Sequence, residues 1–297
     1  MGKFNGHFYP GLYLYSYGLY QTIVISKAII FNESTLHSPC PPKNKRKWAI
    51  LWKISYSGVL KMVTGSLLTA YVVICLDDGM VLMNKQVPSR FMYPKEWQHL
   101  TMFILLTLNG CVDILSKNLL PQRCVFLELG VQVLTFCVLL LLLVSHIQGS
   151  EGVELQVHSL LILVVLLLVL VLTVELWTPG MFHLWIMETF LFLSMGSWLM
   201  QAAFILYKPI TGYPWQDEDL SDLAFVTTFF CWHVMINASC QLGIYSFSFL
   251  WYNCFCFSWK STEYKEAPYH RPYYKLLHEV EQSEKDDQAP LLPINSP

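Results

Sequence analysis

The chain has 297 residues, of which 54% are hydrophobic and only 13% charged, and its mean hydropathy is +0.42. A soluble domain typically carries about 25% charged residues, so this composition excludes a cytosolic enzyme and a disordered regulator. The formal net charge of −2 leaves no basic field that would attract a nucleic acid, and the remaining class is a membrane protein that crosses the bilayer several times.

Long apolar runs predict where the chain crosses. A helix needs roughly 20 apolar residues to span a hydrocarbon core of ~30 Å. Seven runs meet this requirement, near residues 8–30, 54–76, 98–119, 124–145, 155–177, 183–207 and 223–252. They are continuous, whereas the strands of a membrane β-barrel alternate in pieces of ~10 residues. We therefore predict an all-α bundle of seven transmembrane helices over residues 1–259.

Residues 260–297 differ from the rest of the chain. They are rich in Glu, Lys, Pro, Tyr and Asp and show little periodicity, which predicts a disordered tail. Lys and Arg concentrate in this tail and in the loops after the first and third predicted spans, whereas the loop before the last span is acidic. Because cytosolic loops carry the excess of Lys and Arg, we predict a cytosolic C-terminus and an extracellular or lumenal N-terminus.

Seven polar side chains are predicted to lie at a similar depth near the non-cytosolic face. This predicted outer layer consists of His7, His99, His146, His158, Gln201, His233 and Asn237. Polar groups at membrane depth are costly and usually face the interior of a bundle. Five histidines on five different helices therefore predict a polar network there.

Three interpretations of this layer compete. Neutral imidazoles are common zinc ligands, and His99, His146, His158 and His233 are the candidates for a metal site in an intramembrane lipid hydrolase. Histidines with acids at depth also suit a proton-linked transporter. Alternatively, their hydrogen bonds only fix the helix packing. No spacing places two ligands on one helix face, so no cofactor and no catalytic residue is assigned, and the leading hypothesis is a non-enzymatic polar network.

A second polar layer is acidic and is predicted to lie nearer the cytosolic face. It consists of Asp113, Glu175 and Glu188. Lys61 enters the second span from the same side and is expected to pair with one of these carboxylates, because an unpaired charge in the bilayer is expensive.

Short motifs with similar spacing relate the chain to a known family. They are Gly6-His7 with Pro10-Gly11, the run from Trp97 to Phe103 that leads to Asp113, His158-Ser159-Leu160-Leu161, Gly196-Ser197-Trp198 with Gln201, and Cys231-Trp232-His233. Over about residues 2–259 the chain resembles the transmembrane protein 45 family, and within it the branch of transmembrane epididymal proteins. The resemblance implies a seven-helix membrane protein and no known reaction. Members tend to have His-His where this chain has Gln98-His99, and His-x-His-Gly at 146–149, so two imidazoles are replaced here by amides, which are weaker ligands.

The C-terminal region carries candidate modification and sorting signals. Cys254 and Cys256 follow the last span, where palmitoylation is expected. Tyr274 begins a tyrosine pattern, and Asp287 with Leu291 and Leu292 resembles an acidic dileucine signal. These signals predict contact with a clathrin adaptor and residence in the plasma membrane or in Golgi and endosomal membranes. The expected partners are thus the lipid bilayer and an adaptor, and no nucleic acid; the sequence does not indicate an oligomeric state.

Overall fold

A computed structural model describes residues 4–30, 55–75, 81–84, 89–120, 124–210 and 212–263, and within them the chain forms seven α-helices and no β-strand. The helices are α1 (Phe4–Ile30), α2 (Tyr56–Ile74), α3 (Pro94–Asn118), α4 (Val125–His146), α5 (Gly152–Trp177), α6 (Phe182–Tyr207) and α7 (Leu220–Glu263). All seven predicted helices are found, and their ends lie within four residues of the predicted ones, except at the end of α7. That helix continues to Glu263, so the predicted start of the tail at residue 260 falls inside a helix.

Six of these helices, α2 to α7, are long and apolar enough to cross a membrane by length and composition. Helix α1 is not among them, because its many tyrosines and glycines lower its hydropathy. Large apolar side chains point outward, as at Leu141, Ile236 and Leu242, which are 70%, 61% and 66% exposed. A soluble protein rarely exposes so much contiguous apolar surface. The chain is an integral membrane protein with several crossings.

Successive helices run in opposite directions. The Asn5 amide near the start of α1 donates a hydrogen bond to the Tyr71 hydroxyl near the end of α2, at 3.2 Å. The Tyr207 ring, which closes α6, lies 5.3 Å from the His7 ring on α1. The amide of Val153, early in α5, donates to Asp217, which precedes α7. The starts of the odd-numbered helices and the ends of the even-numbered ones therefore share one end of the bundle, here called the His7 end.

Glycines let two pairs of helices approach closely. A methyl group on Gly11 of α1 would lie 2.8 Å from the backbone nitrogen of Met200 on α6. A methyl group on Gly58 of α2 would lie 2.9 Å from the carbonyl oxygen of Gly110 on α3. Small residues at such crossings are the usual means by which helices associate in a membrane. They fix α1 against α6 and α2 against α3.

The best-buried apolar core lies between α5 and α6, where Leu168, Leu193 and Trp198 are fully buried. The Trp198 indole donates to the carbonyl oxygen of Val157 at 3.0 Å, so the ring is also held by a hydrogen bond. The chain divides by its internal contacts into two units, residues 1–250 and 251–297. The core and the polar clusters belong to the first unit.

Candidate functional site: a ring of four histidines

Four imidazoles meet near the His7 end, one each from α1, α3, α4 and α5. This histidine ring consists of His7, His99, His146 and His158. Neighbouring ring centroids are 5.4 to 6.5 Å apart in the order 7, 99, 146, 158 and back to 7. All four side chains are buried. Helices far apart in sequence therefore deliver their histidines to one place.

Two of these rings are anchored to their own helices. The Nδ1 atom of His99 lies 2.6 Å from the carbonyl oxygen of Lys95, and the Nδ1 atom of His158 lies 2.8 Å from that of Glu154. A carbonyl oxygen only accepts, so Nδ1 carries the proton in each ring. In a neutral imidazole the Nε2 atom is then an unprotonated acceptor.

The third ring is anchored by a side chain from the neighbouring helix. The Nδ1 atom of His146 lies 2.9 Å from Oε1 of Gln98, and the same amide donates from Nε2 to the Ser145 hydroxyl at 3.2 Å. In this orientation of the amide its oxygen faces His146 and accepts from Nδ1. His146 therefore also has its Nε2 atom left as the acceptor.

His7 is held differently from the other three. Its Nε2 atom lies 3.4 Å from Nε2 of His158, whereas its Nδ1 atom is buried with no hydrogen-bond partner among the described residues. Its ring is packed between the imidazoles and Tyr207. His7 thus has unused hydrogen-bonding capacity on a ring that no carbonyl orients.

A charged pair lies between the ring and the end of the bundle. The Lys95 ammonium is 3.6 Å from the Glu154 carboxylate, and both side chains are partly exposed. Lys95 lies one helical turn before His99, and Glu154 lies one helical turn before His158. The backbone carbonyl of each accepts the hydrogen bond from Nδ1 of that histidine. The same two positions therefore orient two imidazoles and place opposite charges above them.

An apolar cavity of about 130 Å³ extends from the ring toward the middle of the bundle. All four histidines line it, and Tyr13 and Thr135 are the other polar side chains of its wall. The rest of the wall is apolar and comes from α1 to α6, with side chains such as Leu106, Phe136 and Val165. The ring is the polar end of a hydrocarbon-lined space.

The spacing of the ring has one feature of a metal site and lacks another. Ligand nitrogens ~2.0–2.1 Å from a tetrahedral zinc ion lie about 3.3 Å from one another, and the Nε2 atoms of His7 and His158 are 3.4 Å apart. As the rings stand, however, no group of three or more His, Cys, Asp or Glu among the described residues is arranged to hold a metal ion. To hold one, the rings would have to turn about their terminal torsions, which are broad for histidine, within the range that the Nδ1 hydrogen bonds of His99, His146 and His158 allow.

A second polar cluster lies toward the other end of the bundle. This Lys61 network consists of Lys61, Asn109, Asp113, Gln132 and Glu188. The Lys61 ammonium is 2.9 Å from the Asp113 carboxylate, donates to Asn109 at 3.2 Å and to Gln132 at 3.5 Å. Gln132 in turn donates to Glu188 at 2.7 Å. The network joins α2, α3, α4 and α6 through polar groups that have partners.

Comparison with known proteins places the chain in a family. A model described as a family of unknown function, DUF716, matches residues 126–246. Transmembrane epididymal protein 1 of Homo sapiens is 70% identical over 273 residues, covering 91% of this chain and all of the relative, and transmembrane epididymal protein 1A of Mus musculus is 62% identical over 301 residues, covering 100% and 99%. The chain belongs to the transmembrane epididymal protein family. The resemblance drawn from its motifs is thereby confirmed.

In this epididymal family member, four residues of the predicted outer layer come together and three do not. Gln201 and His233 line a separate pocket of about 420 Å³ formed by α6, α7 and the segment between them. Asn237 donates to the Ser197 hydroxyl at 2.8 Å. Of the predicted ligand set of His99, His146, His158 and His233, the first three lie together with His7, whereas His233 lies in the other pocket. The depth of a residue along its helix does not say which neighbour that helix faces.

The predicted acidic layer is also divided. Lys61 pairs with Asp113, one of the three carboxylates expected for it, and Glu188 joins the same network through Gln132. Glu175 has a different partner, since it accepts a hydrogen bond from the Trp185 indole at 2.7 Å.

Sequence reasoning missed Asn109 and Gln132 in the network. Asn109 precedes Asp113 by four residues and so shares its helix face. This spacing could have identified Asn109 from the sequence. Gln132 lies in a long apolar run where one amide gives no pattern.

Proposed function

We propose that this chain is a seven-span membrane protein whose histidine ring binds a divalent transition-metal ion, with zinc the expected one. The observation that carries the proposal is that His99, His146 and His158 all use Nδ1 to donate to an oxygen and that all three side chains line one shared cavity. Histidine ligands of metals almost always donate their other ring N–H to a carbonyl, carboxylate or water, which fixes tautomer and orientation.

A purely structural role explains the ring less well. Histidines that only fix helix packing would bond to donors or acceptors on neighbouring helices. Two contacts of the ring are of this kind, His146 with Gln98 and His7 with His158. They leave Nε2 of His99 and Nε2 of His146 without a hydrogen bond within the described residues. Several lone pairs gathered in an apolar cavity are poorly compensated. A cation with imidazole affinity would satisfy them together, and His7 is free to turn toward it.

Metal analysis of the purified protein tests the proposal. The intact chain, purified in detergent without chelators or a histidine tag, is expected to hold about one equivalent of zinc by mass spectrometry of the metal. The double variant His99→Ala/His158→Ala should lose it, whereas His233→Ala should keep it, because His233 lies in the other pocket. A wild-type protein that elutes as a folded species and binds no transition metal, even after incubation with zinc, would refute the proposal.

A metal-dependent lipid hydrolase is the second candidate, and one observation favours it. Three anchored imidazoles with a fourth that is less constrained resemble a catalytic zinc site, which has three protein ligands and one open position. His7 would then face a metal-bound water rather than bind the ion. The transporter alternative has no comparable support, since it needs Gln201 and His233 to connect with Asp113 and Glu188, and the first two line a separate pocket.

We also propose that α1 is a seventh transmembrane span, in addition to the six candidate spans α2 to α7. Helix α1 has 27 residues, about 40 Å at ~1.5 Å per residue, and its one charged residue is Lys27 near its end. Its close packing on α6 supports a span buried among other spans. We propose an extracellular or lumenal N-terminus, with the histidine ring at that face. A glycosylation acceptor inserted at Gly149 should be modified in cells; modification of one placed after residue 264 instead would reverse the topology.

The proposed route through the cell rests on residues outside the described part of the chain. Tyr274, Asp287, Leu291 and Leu292 all lie there, as does the Cys256 side chain, whereas Cys254 is exposed near the end of α7. We expect Leu291→Ala/Leu292→Ala to move the protein toward the cell surface in quantitative imaging, with Ile294→Ala as a control outside both the dileucine and the tyrosine motifs. An unchanged distribution would remove the adaptor from the expected partners.

A further inference from the structure

We infer that the cavity beneath the histidine ring holds the hydrocarbon chain of an acyl lipid, with the carboxylate or acyl carbonyl of that lipid at the ring. The inference rests on the proposed function in one respect, since it places the oxygen-bearing end of the ligand where the metal ion would be. The chain itself is placed by the shape and lining of the cavity.

The cavity is elongated along the bundle axis. Its wall runs on α5 from His158 to Val165 and on α4 from His146 to Thr135, in each case away from the His7 end. At ~1.5 Å per residue, these stretches correspond to depths of roughly 10 and 16 Å. An extended covalent chain advances about 1.2 Å per bond, so the depth suits roughly 8 to 13 methylene groups.

The volume of the cavity agrees with this depth. A water-sized group needs ~10–15 Å³ on the measure that gives 130 Å³ here. The cavity therefore has room for about ten groups of the size of a methylene.

The lining selects hydrocarbon over water. Away from the ring, the wall consists of Leu, Val, Phe and Met side chains with Tyr13 and Thr135 as its polar members, and the Thr135 hydroxyl already donates to Val131. Water finds few hydrogen-bond partners along such an apolar wall. If the space were empty, the atoms of the wall would lack dispersion contacts. In a membrane, the apolar molecule at hand is a lipid chain. Its polar end would then meet imidazoles, the polar groups at the mouth.

Two helices each offer a pair of positions, one facing the cavity and one facing outward, so that the two surfaces can be tested independently. On α4, Leu139 lines the cavity, whereas Leu141 points outward and is 70% exposed. On α5, Val165 lines the cavity and is fully buried, whereas Leu163 is 46% exposed. A larger side chain at the first member of each pair fills the cavity. The same enlargement at the second changes only the outer surface.

Lipid analysis of the purified, intact protein tests the inference. After exhaustive detergent washing and solvent extraction, mass spectrometry should find about one acyl lipid per wild-type chain, and its mass distinguishes a free fatty acid from an acyl ester or amide. Leu139→Trp and Val165→Phe should lower this lipid at least tenfold. Leu141→Trp and Leu163→Phe should leave it unchanged.

A second measurement covers variants that fail to fold. A fatty acid with a photoactivatable diazirine on its chain should label the wild-type protein at wall residues of α4 or α5, and unlabelled fatty acid should compete. Labelling confined to outward-facing positions, or the same lipid mixture in filled and control variants, would mean adventitious membrane lipid only and would overturn the inference.

Metal content measured on the same samples separates the two proposals. Lipid bound by a protein that binds no metal would refute the proposed function and leave the acyl-chain site standing. Metal bound by a protein that yields no acyl lipid and no cavity labelling would refute the acyl-chain site and leave the proposed function standing.

Discussion

The histidine ring and the Lys61 network are two buried polar clusters in one bundle, and they are built differently. Both draw side chains from α3 and α4. In the network the Lys61 ammonium has three partners and the Gln132 amide bridges to Glu188. In the ring the Nδ1 atoms of three histidines bond outward to Lys95, Glu154 and Gln98, and the Nε2 atoms of His99 and His146 make no hydrogen bond within the described residues. The polar groups of the network therefore satisfy one another, which stabilises the fold, whereas two imidazoles of the ring each have a nitrogen without a hydrogen bond within the described residues.

Breaking the Lys61 network should have the largest effect on stability. Asp113→Leu leaves the Lys61 ammonium buried without its carboxylate, and breaking a buried ion pair in this way costs ~3–5 kcal/mol. Chemical unfolding in detergent, followed by tryptophan fluorescence, measures the loss. The double variant Lys61→Met/Asp113→Leu should recover most of it, because replacing a whole buried pair by apolar groups is often neutral. A double variant as unstable as the single one would contradict this view of the network.

A smaller loss is expected where α2 crosses α3 beside the network. A methyl group on Gly110 would lie 2.6 Å from the carbonyl oxygen of Gly58 and 3.0 Å from Cβ of Lys61. Gly110→Ala should therefore destabilise the protein by ~1–3 kcal/mol through overpacking. Gly130→Ala is the matched control, since a methyl group there meets nothing within 4 Å. Equal effects of the two substitutions would show that the crossing is not tightly packed.

In the ring, the predicted effect is on metal affinity. Gln98→Leu removes the oxygen that orients His146, and loss of such a supporting group typically lowers metal affinity 10–100-fold, about 1.4–2.7 kcal/mol. Competition against a zinc-binding dye measures it. Gln148→Leu is the control, because Gln148 is an exposed amide in the following turn. Equal affinity for the Gln98→Leu variant and the wild type would remove Gln98 from the site.

The smallest effect is expected for the stability of the metal-free ring. His158→Leu loses a hydrogen bond to its own helix and the contact with Nε2 of His7 but gains apolar contact, so the free energy of unfolding should fall by only ~1 kcal/mol. The same unfolding assay as for Asp113→Leu gives a direct comparison. A loss as large as that of Asp113→Leu would make the ring a structural cluster like the network and would weaken the case for binding.

The seven helices, nearly all of their ends and the family were accessible from the sequence. The length of a continuous apolar run decides whether a helix can span the bilayer, and this length is a local property of each segment. The depth of a polar residue is local too, which is why His7, His99, His146 and His158 were placed at one level. The last predicted span ends at residue 252, as the apolar part of α7 does, and the helix itself continues to Glu263.

What the sequence could not decide is which helices are neighbours and which way each is rotated. The close approach of α1 to α6 at Gly11 and Gly196 brings His7 to the imidazoles of α3, α4 and α5, whereas His233 on α7 lies against Trp198 on α6. The choice of Asp113 over Glu175 as the partner of Lys61 is of the same kind. Helix packing in a membrane depends on small residues and side-chain shape summed over many contacts, so the chain alone fixed the level of its polar groups and only the tertiary structure decided which of them meet.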